Sequence, residues 1–202
     1  MRISVVFFVM LLVLPLAGCN TPIHHGELSF GDTPVPTGDY GSVLNRWTQN
    51  DKTYNGGAEA VQITATLLSR EVVEQQVYLD AERFHWTPEK YRDSRQQALY
   101  GNESATRVFL SVYTNNADSN NLDKSSSVWN IFLDVNGKRL LPSSIVRSHE
   151  NRADMVDKFP YLNVWTTNYY VTFPNPTSDS TSGRADLTVA GTLGAIHLSF
   201  PK

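Results

Sequence analysis

Apolar and polar residues alternate along several short stretches of the chain, and this alternation predicts β-strands. Residues 61–68 alternate at first, and residues 107–114 place Val108, Leu110 and Val112 on one face and Phe109 and Tyr113 on the other. A period of two places every second side chain on one face of a sheet, as in a half-buried strand. The same pattern predicts that the following residues are buried in one core: Ile63, Leu110, Val112, Ile131, Leu133, Val171 and Leu198.

Turn-forming residues separate these stretches. Asn136-Gly137 lies between residues 128–135 and 138–141, and Asn-Gly between apolar runs is a strong hairpin signal. Asn55-Gly56-Gly57 predicts another turn, within a strand–turn–strand unit over residues 40–68. The remaining strands are predicted at 143–148, as an extension of the hairpin strand past Pro142, at 168–173, and at 187–193 with 195–200, as one bent strand or two.

The stretch from residue 69 to about 101 has a helical pattern instead. Ser69 is a residue type that caps helices, and Thr87-Pro88-Glu89 combines a cap, a proline at the first helical position and an acid. A short helical turn is predicted at 155–160. The inserted segment is therefore expected to form a helical hairpin between strands.

About eight short strands with turns between them favour a mainly β fold. We expect an antiparallel β-sandwich over residues 40–202, with the helical hairpin inserted at about 69–101. A β-barrel is the alternative architecture for the same pattern.

The first 18 residues have the features of a secretory signal. Arg2 precedes an apolar run at residues 5–16, which is shorter than the roughly 20 residues of a membrane-spanning helix. Leu16-Ala17-Gly18-Cys19 resembles the lipobox of bacterial lipoproteins, and that resemblance implies cleavage before Cys19 and acylation of its thiol. Two or more acyl chains are enough to hold a protein on a bilayer.

The lipobox resemblance also implies a location. Cys19 is the single cysteine of the chain, and Asn20, rather than an aspartate, follows it. By resemblance to Gram-negative sorting rules, Asn20 implies the cell envelope, at the periplasmic face of the outer membrane, and display on the cell surface is the alternative. Residues 19–39 are rich in proline and glycine, so we expect the lipid-bearing cysteine to be followed by a flexible tether.

Several motifs in the β-rich part resemble predicted bacterial lipoproteins of unknown function. They are VFLSVYT at residues 108–114, NLDK at 121–124, SVW at 127–129 and GTLGAIHLSF at 191–200. The resemblance covers roughly residues 40–200 and implies an immunoglobulin-like sandwich with an inserted helical stretch. It brings no activity and no functional residue with it.

Charge and composition limit the classes of partner. The chain has 17 basic and 20 acidic residues, a formal charge of −3. Without the leader, which holds Arg2 and no acid, the balance is 16 − 20 = −4. Binding of nucleic acid requires clustered basic residues, so we expect no nucleic-acid partner. We also expect no cofactor, because no cofactor motif is present.

One loop suggests a calcium site. Asp118, Asn120 and Asp123 offer oxygen atoms over a short stretch, and calcium binds several oxygen ligands. Leu122 occupies a position where a helix–loop–helix calcium site needs a ligand, and Asn and Asp are also common turn residues. Metal binding and a simple turn are therefore both compatible with this loop.

Aromatic residues provide the other candidate site. Trp165 and Tyr161 lie in a stretch without regular pattern, and Trp86 follows the first predicted helix of the insert. Exposed aromatic faces can stack on sugar rings, whereas core packing is their usual role. No nucleophile motif such as G-x-S-x-G appears. We therefore expect a non-enzymatic binding or assembly module with an envelope protein or glycan as partner. The alternatives are a carbohydrate- or peptidoglycan-binding module and an envelope hydrolase.

Overall fold

The protein was analysed as a computed structural model that describes residues 29–175 and 184–201. The predicted signal peptide, Cys19 and the first part of the predicted tether lie outside the described residues. Within the described ranges, no helix has both the length and the apolar composition needed to span a membrane. The helices are α1 Tyr40–Trp47, α2 Arg70–Arg83, α3 Pro88–Ser104 and α4 Arg152–Lys158. The strands are β1 Thr48–Asn55, β2 Ala58–Leu67, β3 Ala105–Thr114, β4 Trp129–Val135, β5 Lys138–Leu140, β6 Ser144–Arg147, β7 Thr167–Pro174, β8 Ala185–Gly191 and β9 Gly194–Phe200.

The strands form two antiparallel sheets. The five-stranded sheet has the order β1-β2-β3-β7-β6, and the four-stranded sheet has the order β5-β4-β8-β9. Strands β2, β3, β7 and β6 correspond to A, B, E and D of an immunoglobulin sandwich, and β5, β4, β8 and β9 correspond to C′, C, F and G. The chain is therefore an immunoglobulin-like β-sandwich with an extra edge strand, β1, and the helices α2 and α3 inserted between A and B.

The core between the sheets contains the residues that strand alternation predicts. Each of the seven is at most 5% exposed: Ile63, Leu110, Val112, Ile131, Leu133, Val171 and Leu198. Burial of such side chains is the main stabilising contribution to a fold of this size. The prediction of a mainly β, antiparallel sandwich with a helical insert is confirmed.

Local capping explains the helical hairpin. The Ser69 side chain accepts a hydrogen bond from the backbone N–H of Val72, and Thr87 accepts one from that of Lys90. These bonds satisfy N–H groups that have no partner within the first helical turn. Helices α1, α2 and α4 cover the outer face of the five-stranded sheet around Phe109, so the molecule has three layers.

Residues 40–47 were predicted to be extended, and this prediction is wrong, because they form α1. Asp39 Oδ2 accepts a hydrogen bond from the Ser42 backbone N–H at 2.8 Å, which caps the helix. Val43 and Leu44 are buried in an apolar cluster around Phe109, called the helical cluster, which also contains Val72, Met155 and Phe159. The sequence contains two signals for this helix: Val43, Leu44 and Trp47 have helical spacing, and Asp39 precedes them as a cap. The same apolar residues are also compatible with a strand.

The strand after Pro142 was predicted to extend the hairpin strand, and this prediction is also wrong. β6 pairs with β7, in the five-stranded sheet, with Ile145 opposite Val171. Pro142 has no N–H to continue the β4–β5 ladder, and the next residue, Ser143, donates its N–H to Thr172 O. The chain therefore crosses between the sheets at this proline.

The predicted boundary of the flexible tether, at residue 39, also needs correction. Phe30 is 4% exposed, and its ring centroid lies 4.3 Å from that of Tyr91 in α3. Tyr91 Oη donates a hydrogen bond to Pro34 O, and Gln75 Nε2 donates to Thr37 O. Prolines and glycines here shape a segment that packs on the helical hairpin, and the packed unit therefore includes Phe30.

The two predicted hairpins are present: β1 pairs with β2 across Gly56-Gly57, and β4 pairs with β5 across Asn136-Gly137. Asn136 (φ 51°) and Gly137 (φ 78°) both adopt the left-handed region in the β4–β5 turn, as a two-residue type I′ turn requires. Residues 187–200 form two strands, β8 and β9, rather than one bent strand. Gly194 has φ 129° at the start of β9.

Candidate functional site

Four connections meet at one end of the sandwich. The start of β2 pairs with the end of β3, through Val61 and Thr114, and the start of β7 lies beside them. The β3–β4 connection leads to Trp129, which pairs with Gly191 at the end of β8. In immunoglobulin domains, loops at the ends of the sandwich carry the binding residues, because their sequences are free of the core's packing constraints. We refer to this end as the loop end; it is formed by the connections 56–57, 115–128, 148–166 and 192–193.

Trp165 is the prominent apolar residue of the loop end. It is 75% exposed, and its neighbour Val164 is 70% exposed. Adjoining apolar side chains that remain uncovered are typical of interaction sites, since burying them in a complex is favourable, and Val164 and Trp165 are such a pair. The structure therefore places one of the three aromatic residues predicted from the sequence on a free surface.

Hydrogen bonds and buried anchors hold Trp165 in place. Asn163 Oδ1 accepts from the Trp165 backbone N–H at 2.8 Å, and Thr166 Oγ1 donates to Asn163 O at 3.2 Å. Phe159 and Leu162, just before this turn, are buried in the helical cluster. An asparagine that bonds to the backbone two residues later is a common way to fix a tight turn. The exposed tryptophan thus belongs to an ordered turn.

A small cleft of about 120 Å³ adjoins this turn. Val164 and Thr166, the residues on either side of Trp165, both line it. Its most buried lining residues are Met155 and Leu162, which are 2% and 8% exposed. The polar lining residues are Ser148, Glu150, Arg152, Asn163, Thr166 and Asn168.

The cleft carries both donors and acceptors of hydrogen bonds. Glu150 supplies a carboxylate, and Arg152 donates to Leu162 O at 3.4 Å and keeps further N–H groups. Within the described residues, the side-chain NH₂ groups of Asn163 and Asn168 donate no hydrogen bond, although their oxygens accept one each. Two amide donors are therefore available to a ligand.

Tyr170 lies close to Glu150, the carboxylate of the cleft. Burial raises the pKa of the Tyr170 hydroxyl above its ordinary value, and the nearby Glu150 carboxylate raises it further. The phenol therefore remains neutral at physiological pH. Among its lining residues the cleft has one carboxylate, Glu150, and glycoside hydrolysis by the usual route needs a pair. The lining of the cleft therefore does not contain the pair of carboxylates that this route uses.

The other two predicted aromatic residues are not brought to this surface. Tyr161 Oη forms a 2.7 Å hydrogen bond with Thr66 Oγ1, and its ring packs on the cluster that covers the five-stranded sheet. Burial raises the pKa of Tyr161 well above its ordinary range. Trp86 packs against the separate cluster formed by Phe30, Ala81 and Tyr91. Tyr161 and Trp86 therefore have packing roles.

The predicted calcium loop has other partners for its oxygen atoms. Asn120 Oδ1 accepts a hydrogen bond from Thr114 Oγ1 at 3.0 Å, and Asp123 Oδ1 pairs with Arg147 at 3.2 Å. Asp118 donates its backbone N–H to Asn116 Oδ1 at 3.1 Å, as in a capped turn. In the part of the chain that the structure describes, no group of three or more His, Cys, Asp or Glu side chains is arranged to hold a metal. The loop is therefore built as a turn.

A larger and more open groove, of about 1070 Å³, runs along α3. Its apolar floor residues Phe30 and Leu99 are already buried in packing clusters. Its carboxylates at Glu89 and Glu103 are exposed, and Glu103 pairs with Arg70 at 3.3 Å. These are properties of the solvated face of an amphipathic helix, so this groove is the weaker candidate.

The sequence pattern did not identify the residues around Trp165. Glu150, Arg152 and Asn168 share no motif or regular spacing in the sequence. They line one cleft because the chain from α4 returns to the start of β7. The one local signal was Asn163, a turn-forming residue two positions before the tryptophan.

Comparisons with known proteins support no family assignment. No protein-family model matches the sequence, and no curated protein matches it. A solved structure, a novel protein of unknown function from Burkholderia pseudomallei K96243, is similar over 80% of this chain and 81% of its own. The two share 8% identity, with a TM-score of 0.44. The class of the protein, an immunoglobulin-like sandwich with a helical insert, follows from its own strand order.

Proposed function

We propose that the chain is a lipid-anchored, non-enzymatic binding module of the bacterial cell envelope. Its ligand surface is the Trp165 turn together with the adjoining cleft at the loop end. The partner is an envelope component, a protein or a glycan, and the anchor keeps the module close to it.

The exposed Trp165 is the observation that carries this proposal. Trp165 is 75% exposed, on a turn whose backbone is fixed by Asn163. Its apolar surface remains in water, so most of the side chain adds no burial energy to the stability of the fold. The backbone of this turn is fixed before binding, and a tryptophan side chain has two torsions to order, so the entropy cost of binding is small. Trp165 and its neighbour Val164, which is 70% exposed, are the uncovered apolar side chains of this turn and support a binding role for it.

The anchor is supported by the sequence. Leu16-Ala17-Gly18-Cys19 follows an apolar run behind Arg2, and Cys19 is the single cysteine. Acylation of this thiol would attach the module to a membrane, and Asn20 favours the periplasmic face of the outer membrane. The chain from Cys19 to Phe30, about ten residues, would connect the lipid to the packed domain.

Mass spectrometry and fractionation of the Cys19→Ser variant test the anchor. The wild-type chain should be recovered with membranes and carry acyl chains on residue 19, and the variant should be soluble and unacylated. A mature wild-type chain with a free thiol, or with residues 1–18 retained, would show that the proposed anchoring is wrong.

Chemical cross-linking of envelope material to the full chain tests the binding surface. Trp165→Ala should remove the cross-linked partner. Tyr100→Ala is a matched control, because Tyr100 is 76% exposed but lies on α3. Equal loss in both variants, or no loss in either, would contradict a binding role for the loop end.

A further inference from the structure

We infer that the ligand of this surface is a glycan with N-acetylated pyranose units, with one ring on Trp165 and its acetamido group in the cleft. This inference rests on the proposed function and names the class of ligand. It is carried by three features of the loop end: the exposed indole, the size of the cleft, and the distribution of apolar and polar groups within it.

The indole suits the face of a sugar ring. One face of a pyranose presents C–H groups, and these are attracted to the electron-rich face of an aromatic ring. Trp165 is 75% exposed, and the Asn163 turn fixes its backbone before the ligand arrives. Trp165 itself does not line the cleft, but its two chain neighbours Val164 and Thr166 do, so the indole and the cleft lie on the same turn.

The size of the cleft selects a substituent rather than a whole sugar. Its volume of about 120 Å³ is somewhat below the roughly 150 Å³ of an engineered cavity that holds one benzene ring. An acetamido group has four heavy atoms and fits this space, whereas a complete pyranose residue is much larger.

The lining matches the chemistry of an acetamido group. Met155 and Leu162 are the most buried lining residues and offer an apolar contact for the methyl group. The side-chain NH₂ groups of Asn163 and Asn168, which donate no bond within the described ranges, can donate to the acetamido oxygen. The Glu150 carboxylate can accept from the acetamido N–H.

A protein partner fits these features less well. Protein hot spots are usually aromatic anchors that enter well-packed, dehydrated pockets on the partner and are ringed by further apolar contacts. Here the exposed apolar residues of the turn are Val164 and Trp165, and the cleft beside them is mostly polar. Sugars, which combine apolar faces with many hydrogen-bonding groups, match such a mixture.

Titration of the full chain in detergent with two tetrasaccharides tests the inference. Chitotetraose carries an acetamido group on every ring, and cellotetraose has the same linkage without these groups. Calorimetry should show saturable binding of chitotetraose and at least about tenfold weaker binding of cellotetraose, a difference of roughly 1.4 kcal/mol. Co-sedimentation with purified peptidoglycan sacculi then shows whether cell-wall glycan is a source of the ligand or whether the glycan comes from elsewhere.

Three variants locate the site. Trp165→Ala removes the aromatic face and Asn168→Ala removes one amide donor, so each should weaken chitotetraose binding about tenfold or more. Tyr100→Ala should bind as the wild type does. Circular dichroism should show the same fold in all three, since Trp165 and Tyr100 are exposed and the backbone bond of Asn168 to Ser148 is retained.

The possible results separate this inference from the proposed function. Loss of binding in Trp165→Ala and Asn168→Ala, with Tyr100→Ala unchanged, supports the glycan site. Equal affinity for both tetrasaccharides, or binding unaffected by the first two variants, overturns it. If neither tetrasaccharide binds and sacculi do not retain the chain, the glycan inference is wrong. In that case the proposed function as a binding module is supported only if an envelope protein still cross-links through Trp165.

Discussion

Phe159 stacks on Phe109, with the ring centroids 3.8 Å apart and an angle of 9° between the planes. Phe109 lies on the outer face of β3, and Phe159 follows the last residue of α4, so this pair attaches the β6–β7 connection to the sheet. The same connection carries Leu162, the Asn163 turn and Trp165. The position of the candidate binding residue therefore depends on a packing contact several residues away from it.

Replacement of Phe159 by alanine should destabilise the protein by about 3–5 kcal/mol, because Phe159 is 1% exposed and its removal leaves a cavity against Phe109. Urea unfolding followed by circular dichroism measures the change. The exposed Phe84, at 55%, provides the control, and Phe84→Ala should change stability by less than about 1 kcal/mol. Similar losses for both variants would mean that Phe159 is not part of a packed core.

Gly191 is expected to tolerate no side chain. A Cβ at this position would lie 2.7 Å from the Trp129 ring and 2.8 Å from the Val128 carbonyl oxygen. Gly191→Ala should therefore cost about 1–3 kcal/mol in thermal or urea unfolding. Gly101→Ala is the matched control, since nothing lies within 4 Å of its added Cβ and alanine favours the α3 helix by about 1 kcal/mol. A Gly191→Ala protein as stable as the wild type would contradict the close contact.

The ion pair between Asp80 and Lys158 links α2 to α4 at 2.8 Å, and both side chains are less than one-quarter exposed. A double-mutant cycle with Asp80→Asn and Lys158→Met should give a coupling free energy near 1 kcal/mol, at the upper end for ion pairs near the surface. The Arg70–Glu103 pair, with side chains 60% and 66% exposed, should give a coupling near zero. Equal couplings would show that burial does not strengthen the first pair.

Stability should decrease at alkaline pH. Burial raises the pKa of Tyr40 from 10.0 to about 12, an effect that the Gln76 hydrogen bond opposes and the Asp80 charge increases. Below pH 10 the phenol is neutral in both the folded and the unfolded chain, so its contribution is fully present. Between pH 10 and about 12 the unfolded chain ionises first, and the unfolding free energy falls. Tyr40→Phe should make this decline shallower in unfolding measured from pH 8 to 12, and an unchanged slope would contradict the assigned cause.

Local patterns account for most of the predicted elements. Alternation identified the buried residues of β2, β3 and β4, and the caps Ser69 and Thr87 identified both helices of the insert. Such signals depend on residues close together in the chain, so they are visible without the tertiary structure. The same local approach was wrong for residues 40–47, where helical spacing and a cap at Asp39 were masked by apolar residues that also suit a strand.

By itself, the sequence determined the sandwich core, the inserted helical hairpin and the expectation of a lipid anchor at Cys19, because periodicity, capping and motif spacing are properties of neighbouring residues. Tertiary structure decided the rest: it placed β6 in the five-stranded sheet, packed Phe30 onto α3, and paired the Asp123 carboxylate with Arg147. It also buried Tyr161 and Trp86 in packing clusters and left Trp165 exposed beside a polar cleft. Exposure depends on which distant segments cover a side chain, and no local pattern records that.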